Sequence, residues 1–416
     1  MNKKILFSII ISFSFCSAFA SAKDSVKTGW NVGPLPAVGF DSDRGFQWGV
    51  VGELYNFGDG SIYPAYFHKF KTEVSFYTKG SANIQAFYDS KHLIKGVRTM
   101  FDVGYFPDRY YDFFGLNTYS YLTPEDSRSN AYNKIDRQLF RFQGDFQKNI
   151  YKNLSLAAGI GLQSYDIGRV REGKYENDIT LYDEYIGRNV VPLDELEGGT
   201  HLLLKLGMIF DTRDVEADPN KGFCSEIVFS GSPDVIDRKG YEHLRMSLTH
   251  RHFFSLVPEH LTLAFRAGYQ NTLAGDVPYY LLQNMQTFFQ KRLFYEGLGG
   301  NTTVRGILRN RIVADGVGLA NLELRWKFYK FRFIGQNFAL TLTPFADAGM
   351  VLNQHNADEF KSQPDYEDPT GKLYTSVGTG LKVIMNQNFV ISIDMGKALQ
   401  KENGNMGFYI LLNHMF

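Results

Sequence analysis

Apolar and polar residues alternate in many short stretches of this chain. In residues 97–105, for example, valine, phenylalanine and tyrosine side chains alternate with Arg98 and Asp102. Successive side chains of a β-strand point to opposite faces, so this period of two predicts strands with one apolar and one polar face. The segments with this pattern are 45–55, 70–76, 97–105, 154–162, 202–210, 261–269, 322–328, 389–393 and 408–416.

The first residues have the pattern of a secretory signal peptide, in which Lys3 and Lys4 precede an apolar run and small residues follow it. We therefore expect residues 1–22 to be a signal peptide that is removed during export. Cys16 leaves a lipoprotein anchor as an alternative, but the phenylalanines before it differ from the small and leucine-rich residues of such sites.

After this segment the sequence has no apolar stretch of about 18 residues, so no helical membrane span is predicted. An exported chain of this kind is periplasmic, secreted or a β-barrel, because only a closed sheet satisfies its backbone hydrogen bonds in lipid without helices. The aromatic content of 15% suits a barrel but also a soluble β-sandwich, and the alternation favours the barrel. We predict an all-β fold, a transmembrane antiparallel β-barrel over residues 45–416 that follows a short periplasmic segment, residues 23–44.

Charge and cysteine content exclude several other functions. The chain has 44 Lys and Arg and 44 Asp and Glu, and without Lys3 and Lys4 the balance is 42 to 44. The resulting net charge of −2 (42 minus 44) offers no broad basic surface, so nucleic acid is not an expected partner. Cys224 is the only cysteine after the signal, which excludes an intramolecular disulfide and a cysteine metal cluster. We expect no cofactor and no metal.

An enzymatic function has little support in the sequence. No Gly-x-Ser-x-Gly sequence is present. His250 and His252 would share one face of a strand and could bind a metal with a nearby acid, but such a pair is more common in a polar lumen or at a membrane interface. We therefore predict that the protein is not an enzyme.

One arginine lies in a glycine-bracketed loop, GGNTTVRG, where Val304 and Gly306 flank Arg305. Two carboxylates follow on the polar faces of predicted strands, Glu323 and Asp347. An arginine removed from water needs a carboxylate partner, and the planar guanidinium suits a bidentate contact. The alternative is a solvated surface arginine, whose ion pair would contribute under about 1 kcal/mol.

Three motifs, in this order, resemble the barrel domain of the BamA/TamA-type outer-membrane superfamily, the bacterial surface antigen family. They are the Val-Arg-Gly loop around Arg305, the Leu-Glu-Leu strand around Glu323 and the Phe-x-Asp-x-Gly strand around Asp347. The resemblance implies about 16 strands and a long loop, residues 273–318, that folds back into the barrel lumen. It also implies that the arginine pairs with acids on the barrel wall; we call this predicted contact, with Asp347 as the main partner and Glu323 nearby, the loop lock.

A further match to the superfamily is a strand that runs into a charged turn. Asp211, Arg213 and Asp214 can pair locally, and Gly222 supplies turn geometry. We interpret this motif as a tight periplasmic hairpin. Long outer loops are predicted at residues 118–134, 168–199, 273–318 and 353–371.

The last predicted strand ends on Phe416 and resembles the terminal signal that outer-membrane barrels present to their assembly machinery. The resemblance implies a weak lateral seam between the first and last strands, which opens sideways or thins the bilayer. Gly45, Gly49 and Gly52 in the first predicted strand fit such a seam, because glycine weakens strand interiors. They also fit a sharply curved corner of a barrel.

The function that the resemblance implies is insertion or translocation of proteins, or of lipid, at the bacterial outer membrane, with unfolded outer-membrane proteins as candidate substrates. A loop-gated transport pore and a scaffold subunit of a larger outer-membrane complex are the alternatives. Only the 22 residues 23–44 precede the first predicted strand, too few for a POTRA domain. Candidate partners are therefore a periplasmic or lipoprotein subunit or a second copy of the chain, besides outer-membrane lipid.

Overall fold

The computed structural model describes residues 27–63, 66–120, 125, 128–170, 178–216, 218–283, 286–288, 297–333, 336–385, 389–412 and 414–416. The predicted signal peptide lies outside the described residues. The strands in these ranges are β1 (Trp30–Pro36), β2 (Gly39–Asp41), β3 (Gly45–Asn56), β4 (His68–Tyr77), β5 (Ala82–Ile94), β6 (Val97–Asp112), β7 (Lys134–Tyr151), β8 (Leu154–Gly168), β9 (Gly198–Asp211), β10 (Gly222–Ser232), β11 (His243–Val257), β12 (Leu261–Gly275), β13 (Gly316–Phe333), β14 (Gln336–Asn353), β15 (Leu373–Met385), β16 (Phe389–Ala398) and β17 (Met406–Leu412).

Each strand from β2 onwards pairs with the next in antiparallel fashion, and β17 pairs with β2, which closes the barrel. β1 and β2 lie along the same neighbour, β3, in unbroken register. Pro36 lies opposite Val50, and Gly39 opposite Gln47, three residues further along both strands. The two segments are therefore one interrupted barrel strand, and the described part of the chain forms a closed barrel of 16 strands. This confirms the predicted fold class.

The barrel begins earlier in the chain than the sequence analysis predicted. Residues 30–41 form the first barrel strand, so the predicted periplasmic segment 23–44 contains a strand. The predicted first strand, residues 45–55, lies in β3 and is the second strand of the barrel.

Two prolines obscure this first strand in the sequence, because Pro34 and Pro36 lack the backbone N–H that a paired strand donates. The N–H of Ala37 donates to the carbonyl oxygen of Gly49 on β3, so the backbone N–H and C=O groups of odd-numbered residues in this strand face β3. The ring nitrogens of both prolines therefore face the opposite edge, where a missing donor breaks no hydrogen bond to β3.

The two faces of the barrel wall differ as the alternation predicts. On β11, Arg245, Ser247 and Thr249 are buried toward the lumen, whereas Leu244 and Leu248 are exposed on the outer face. An apolar outer face and a polar lumen are the arrangement that a transmembrane barrel requires, since lipid surrounds the wall.

The two histidines that were considered as metal ligands lie on the outer face of β11. The rings of His252 and Phe254 stack with centroids 3.9 Å apart, and Nδ1 of His250 lies 2.8 Å from the Ser225 hydroxyl. In the described residues, no group of three or more His, Cys, Asp or Glu side chains is arranged to hold a metal ion.

The longest connections, β6–β7, β8–β9, β12–β13 and β14–β15, all lie at the same end of the barrel. Short turns of such barrels are periplasmic and long loops face outward. The long loops contain α1 (Leu181–Gly187), α2 (Tyr279–Leu282) and α3 (Ala357–Lys361), and their buried tyrosines pack with the upper wall as one apolar cluster. Across the described ranges, no helix has the length and apolar character to cross a membrane.

Candidate functional site: the lumenal loop, the tail and the seam

The loop between β12 and β13 passes through the lumen, and glycines permit its close approach to the wall. Gly306 has φ +91°, and a Cβ at this position would lie 2.7 Å from the carbonyl carbon of Gly396 on β16. A Cβ on Gly396 would in turn lie 2.7 Å from the backbone of Arg305. Both positions therefore require glycine, because the two backbones are in direct contact.

Arg305 is completely buried and contacts three wall carboxylates. Its Nε and Nη2 donate to Oδ2 and Oδ1 of Asp347 at 2.9 and 3.0 Å, a bidentate contact. Its Nη1 donates to Glu323 at 2.8 Å and lies 3.5 Å from Asp394. The guanidinium also lies 3.4 Å from the ring centroid of Phe345. The structure thus brings Arg305, Asp347 and Glu323 together in the arrangement that the sequence analysis expected.

Asp394 was not identified as a member of this site. The alternation in residues 389–393 continues to the next residue, Asp394, and places it on the polar face of the strand. The strand pattern could therefore have pointed to it. Its proximity to Arg305 depends on how β16 and β14 are placed around the barrel, which the local pattern does not contain.

Apolar contacts hold the same loop against the wall. Val304 is fully buried in a cluster with other loop residues and with residues of β13, β14, β15 and β16. A Cβ on Gly349 of β14 would lie 3.3 Å from Val304, so the small residue at 349 makes room for the loop. The cluster consists of Leu298, Val304, Ile307, Ile312, Ala314, Val317, Leu319, Val351, Tyr374 and Ala398.

Glu323 joins the loop to the carboxyl-terminal residues. One of its oxygens accepts from Arg305, and the other accepts from Nε of Arg325 at 2.9 Å. Nη2 of Arg325 donates to the main-chain oxygen of Phe416 at 2.8 Å. A single buried carboxylate thus touches both the cation of the loop and the cation that binds the last described residue.

The residues after β17, 414–416, which we call the tail, turn into the lumen. The Phe416 ring lies 6.5 Å from the Phe253 ring and 5.1 Å from the guanidinium groups of Arg266 and Arg325. The prediction that Phe416 belongs to the seam is therefore wrong in position: β17 leaves the sheet after Leu412, and the last residue contacts the wall of β11, β12 and β13.

The seam itself is short. β17 and β2 pair only at Tyr409 with Asp41 and at Ile410 with Phe40. One further backbone bond links Ser42 N–H to the carbonyl oxygen of Phe408, at 3.1 Å. This bond shows that the backbone N–H and C=O groups of even-numbered residues in the first strand face β17. The two prolines of β1 have even numbers, so they remove donors from this same edge.

The glycines predicted for the seam lie elsewhere. Gly45, Gly49 and Gly52 belong to β3, the second barrel strand, so they are not on either seam edge. A Cβ on Gly49 would lie 2.2 Å from the carbonyl oxygen of Val74 on β4. This glycine permits close packing within the wall, and the features that distinguish the seam are its short pairing and the two prolines.

The lumenal loop contacts both edges of the seam. Nδ2 of Asn301 donates to Asp41 on β2 at 2.6 Å, and the N–H of Gly306 donates to the hydroxyl of Tyr409 on β17 at 3.1 Å. The position of the loop and the closure of the seam are therefore physically connected.

A second arginine anchors the loop to the opposite wall, and the sequence analysis missed it. Nη1 of Arg309 lies 2.9 Å from Asp108 and 3.5 Å from Asp112, both on β6. With β1 and β2 counted together, β6 is the fifth of the 16 strands and β14, which carries Asp347, is the thirteenth. The loop therefore spans the lumen between opposite walls. The spacing of Arg305 and Arg309 in the sequence is the one signal that could have suggested a second contact.

We expect Arg309→Ala to lower the free energy of unfolding by about 3 kcal/mol, because it leaves Asp108 buried without its cation. The loss is smaller than it would be if both Asp108 and Asp112 were left without a cation, because Lys134 still pairs with Asp112. Urea-induced unfolding in detergent measures the change. Lys372→Ala is the control, because its partner Glu367 is exposed and such a pair contributes less than about 1 kcal/mol. Equal effects of the two variants would contradict the prediction.

The motif between β9 and β10 forms a hairpin at the periplasmic end. Arg213 donates to both oxygens of Asp211, at 2.9 and 2.7 Å. Asp214 accepts backbone N–H groups across the turn, and Gly222 has φ +93° with a would-be Cβ 2.3 Å from the carbonyl oxygen of Thr212. These contacts build the turn locally.

The same hairpin reaches into the barrel mouth, which the sequence did not reveal. Asp218 is buried and lies 2.6 Å from Nζ of Lys327 on β13 and 3.1 Å from Nε2 of His414 in the tail. Burial alone would raise the pKa of Asp218, but the His414 hydrogen bond and the Lys327 charge hold it well below its usual range. The hairpin thus covers the tail on the periplasmic side.

Docking of the tail is expected to weaken in mild acid. Burial, with the nearby charge of Arg325, lowers the pKa of His414 to about 4, whereas a released histidine titrates near 6.5. The contribution of His414 to the free energy of docking is fully present above pH ~6.5. It decreases as the pH falls toward the pKa of the docked histidine, because the released histidine binds a proton before the docked one does; at pH ~5 the decrease is about 2 kcal/mol. Carboxypeptidase digestion, corrected with a free peptide of the same sequence, should be roughly thirtyfold faster at pH ~5 than at pH ~7.5. His414→Gln should remove most of this pH dependence. Equal corrected digestion rates of the wild type at the two pH values would refute the prediction.

These features define the class of protein: an outer-membrane β-barrel with a plugged lumen and a short lateral seam. The model of the Omp85 superfamily domain matches residues 68–416, and the chain belongs to the Omp85 superfamily. This confirms the resemblance to the BamA/TamA-type barrels and the location in the outer membrane. Barrels of this superfamily are non-enzymatic assembly and transport proteins.

Two solved structures share the fold. BamA from Haemophilus ducreyi lacking POTRA domains 1–3 is 15% identical with a TM-score of 0.60, over 93% of this chain and 70% of that one. CdiB from Escherichia coli is 12% identical with a TM-score of 0.57, over 94% of this chain and 63% of that one. The chain therefore spans less than two thirds of the CdiB chain. No curated protein sequence matches this chain.

Proposed function

We propose that this barrel inserts or translocates proteins at the outer membrane by opening the seam between β2 and β17. The observation that supports this function most strongly is the seam itself, where two pairs of residues join the strands. By contrast, β16 and β17 pair over seven residues, from Ile391 with Leu412 to Lys397 with Met406.

The edge chemistry favours opening at this place. An unpaired strand edge offers backbone groups to another extended chain, and its N–H and C=O groups are what an incoming strand would bind. Pro34 and Pro36 lack two donors on the edge that faces β17. β1 therefore cannot form a complete ladder of backbone hydrogen bonds with the last strand of the barrel. The carbonyl groups of the same edge stay available as acceptors.

The loop would regulate this opening, because its residues bind both edges. Contacts from Asn301 to Asp41 and from Gly306 to Tyr409 hold β2 and β17 beside the same loop. Movement of the loop would remove both contacts together. In this proposal the loop lock determines whether the seam is held closed.

A disulfide across the seam tests the proposal. Phe40 and Ile410 lie directly opposite each other, so Phe40→Cys with Ile410→Cys places two thiols at a bridgeable position. The native Cys224 is buried and does not compete. The control pair is Met395→Cys with Phe408→Cys, which joins β16 to β17 without crossing the seam.

The variants are expressed in a host depleted of the wild-type protein, and the outer-membrane proteins are quantified. The oxidised seam variant should fail to maintain them, reductant should restore function, and the control pair should function throughout. A protein that only conducts solutes through its lumen would be indifferent to the seam bond. Full function of the oxidised seam variant would therefore exclude lateral opening.

A further inference from the structure

Two neighbouring hairpins at the periplasmic end of the barrel carry lysines and no acid. Residues 90–97 contain the turn from β5 to β6, and residues 146–154 contain the turn from β7 to β8. The hairpins are adjacent in the sheet, because Val97 of β6 pairs with Lys148 of β7. Their four lysines are all exposed, and we call them the basic rim: Lys91, Lys95, Lys148 and Lys152.

The described part of the chain does not neutralise the charge of the basic rim. None of the four lysines forms an ion pair with a described residue. The acids that directly precede the two hairpins are bound elsewhere, Asp89 to Arg98 at 2.8 Å and Asp145 to Lys205 at 2.8 Å. The rim therefore presents four positive charges at one place, which favours a ligand with negative charge.

Three other periplasmic turns differ from the basic rim in their charge. The β3–β4, β9–β10 and β11–β12 turns contain Asp59, Asp214 and Glu259, respectively. The position of the four lysines on β5 to β8 is therefore a feature of one side of the barrel and is not shared by these turns.

The basic rim lies at the edge of the lipid-facing wall. On β7, Lys148 shares the outer face with Phe140 and Phe142, which are 42% and 41% exposed. In the sheet Lys148 pairs with Leu156 of β8, and Leu156 pairs with Met208 of β9, both exposed on the same face. A lysine in such a row keeps its methylene groups against the apolar surface and extends its ammonium group to the level of the lipid headgroups.

The tip of the β7–β8 hairpin has the composition of a membrane interface. Tyr151 is exposed, and Nζ of Lys152 lies 5.2 Å from its ring centroid. Tyr151 pairs with Leu154, which pairs with Phe210 on the outer face, so the apolar wall continues to the turn. Tyrosine is enriched at the headgroup level of membranes because its ring is amphipathic. A soluble acidic protein would have to displace lipid from this wall, whereas lipid headgroups already lie beside it.

We propose that the basic rim binds the phosphate groups of anionic phospholipids in the inner leaflet of the outer membrane. The acyl chains of a bound lipid would lie against Leu156 and Met208, and its phosphate would lie among the ammonium groups. A zwitterionic headgroup carries a cation of its own, so the four lysines discriminate against it. Each lysine near an anionic membrane surface is expected to strengthen binding about fivefold. The inference does not rest on the proposed function, because the rim belongs to β5 to β8 and the seam to β2 and β17.

Quenching by brominated lipids in nanodiscs tests the inference. Ile150→Cys in the full chain carries a fluorophore beside the rim, and the native Cys224 is buried and does not react. One sample contains phosphatidylcholine with a minor fraction of brominated phosphatidylglycerol, and a parallel sample contains the same fraction of brominated phosphatidylcholine. The ratio of the two quenching signals measures the local enrichment of anionic lipid. It should be at least about tenfold with the unaltered rim.

Two substitutions at the rim should remove most of this preference. Lys148→Gln with Lys152→Gln should lower the enrichment at least about fivefold. Arginine at all four rim positions should preserve it, because arginine keeps the charge. Lys372→Gln with Lys401→Gln is the matched control, since both lysines are exposed at the opposite end of the barrel, and it should leave the signal at position 150 unchanged.

Salt and soluble phosphate complete the test without altering the rim. In about 1 M salt, where the Debye length is about 3 Å, the enrichment should fall toward equality. Inorganic phosphate at matched ionic strength should not displace the lipid, because it has no acyl chains to lie against the wall; displacement by it would show a simple anion site and refute lipid binding. Equal quenching by the two lipids at the unaltered rim, or an enrichment that survives glutamine at all four positions, would overturn the inference.

Discussion

Arg305→Ala should lower the free energy of unfolding by about 3 to 5 kcal/mol, the largest change expected for any single side chain of the loop. The substitution leaves Asp347 and Glu323 fully buried without the cation that donates three hydrogen bonds to them. Lys382, 3.6 Å from Asp394, and Arg325 remain nearby but cannot replace the bidentate contact. Charged groups that stay buried and unpaired carry most of this cost, so the loop should leave the wall and admit water.

Heat-modifiability on gels and urea unfolding in detergent measure the loss, and single-channel conductance reports whether the loop has moved. Arg305→Lys should be intermediate, because lysine keeps the charge but not the planar pair of donors. Arg169→Ala is the matched control, since this arginine is 67% exposed and pairs with Asp183 at the surface, where about 1 kcal/mol or less is expected. Unchanged stability and conductance in Arg305→Ala would show that the loop lock does not hold the loop.

Gly396→Val should dislodge the same loop without removing any charge. A Cβ at 396 would lie 2.7 Å from the carbonyl carbon and oxygen of Arg305 and 3.0 Å from the nitrogen of Gly306. These are backbone atoms, which cannot rotate away as a side chain can, so the loop and β16 must separate. Overpacking of this kind typically costs about 1 to 3 kcal/mol, and here the displacement also breaks the contact from Gly306 to Tyr409 at the seam.

The measurements are the unfolding free energy and the rate at which a thiol at Ile410→Cys reacts with a water-soluble reagent. Both should change together if the loop holds the seam closed. Gly231→Ala on β10 is the control, because its new Cβ would meet its nearest atom, the carbonyl oxygen of His243, at an ordinary 3.4 Å. A stable Gly396→Val variant with unchanged thiol reactivity would separate the loop from the seam.

The loop and the seam explain each other in energetic terms. A seam with two residue pairs is too weak to stay closed by backbone hydrogen bonds alone, since each contributes only about 1 kcal/mol net. The buried ion contacts of Arg305 and Arg309 fix a loop that binds both edges. In the proposed function, a weak edge with a strong internal support would open only when the support moves, as a gate does.

The tail extends this connection toward the periplasm. Through Glu323 and Arg325, the position of Phe416 is linked to the same acid that binds the loop arginine. Because Glu323 binds both arginines at once, a change at the loop lock is expected to influence the position of the tail, and the reverse.

The sequence alone determined many of the strands, the polarity of their faces and the candidate partners of the loop arginine, because these depend on local patterns; the pairing in the lumen was implied by the family resemblance. A period of two is a property of neighbouring residues, and the glycines beside Arg305 mark a backbone that must approach another one. Glu323 and Asp347 were found because each lies on the polar face of a strand that the alternation predicts.

Only the tertiary structure decided where the barrel starts, which residues form the seam and what Phe416 contacts. In the sequence, Pro34 and Pro36 look like interruptions of a strand. The closed barrel shows that their nitrogens face an open edge. The contact of Arg309 with β6, and that of Asp218 with His414, join residues about 200 positions apart in the sequence. Such contacts follow from how sixteen strands close around a common lumen, and no local pattern records that closure.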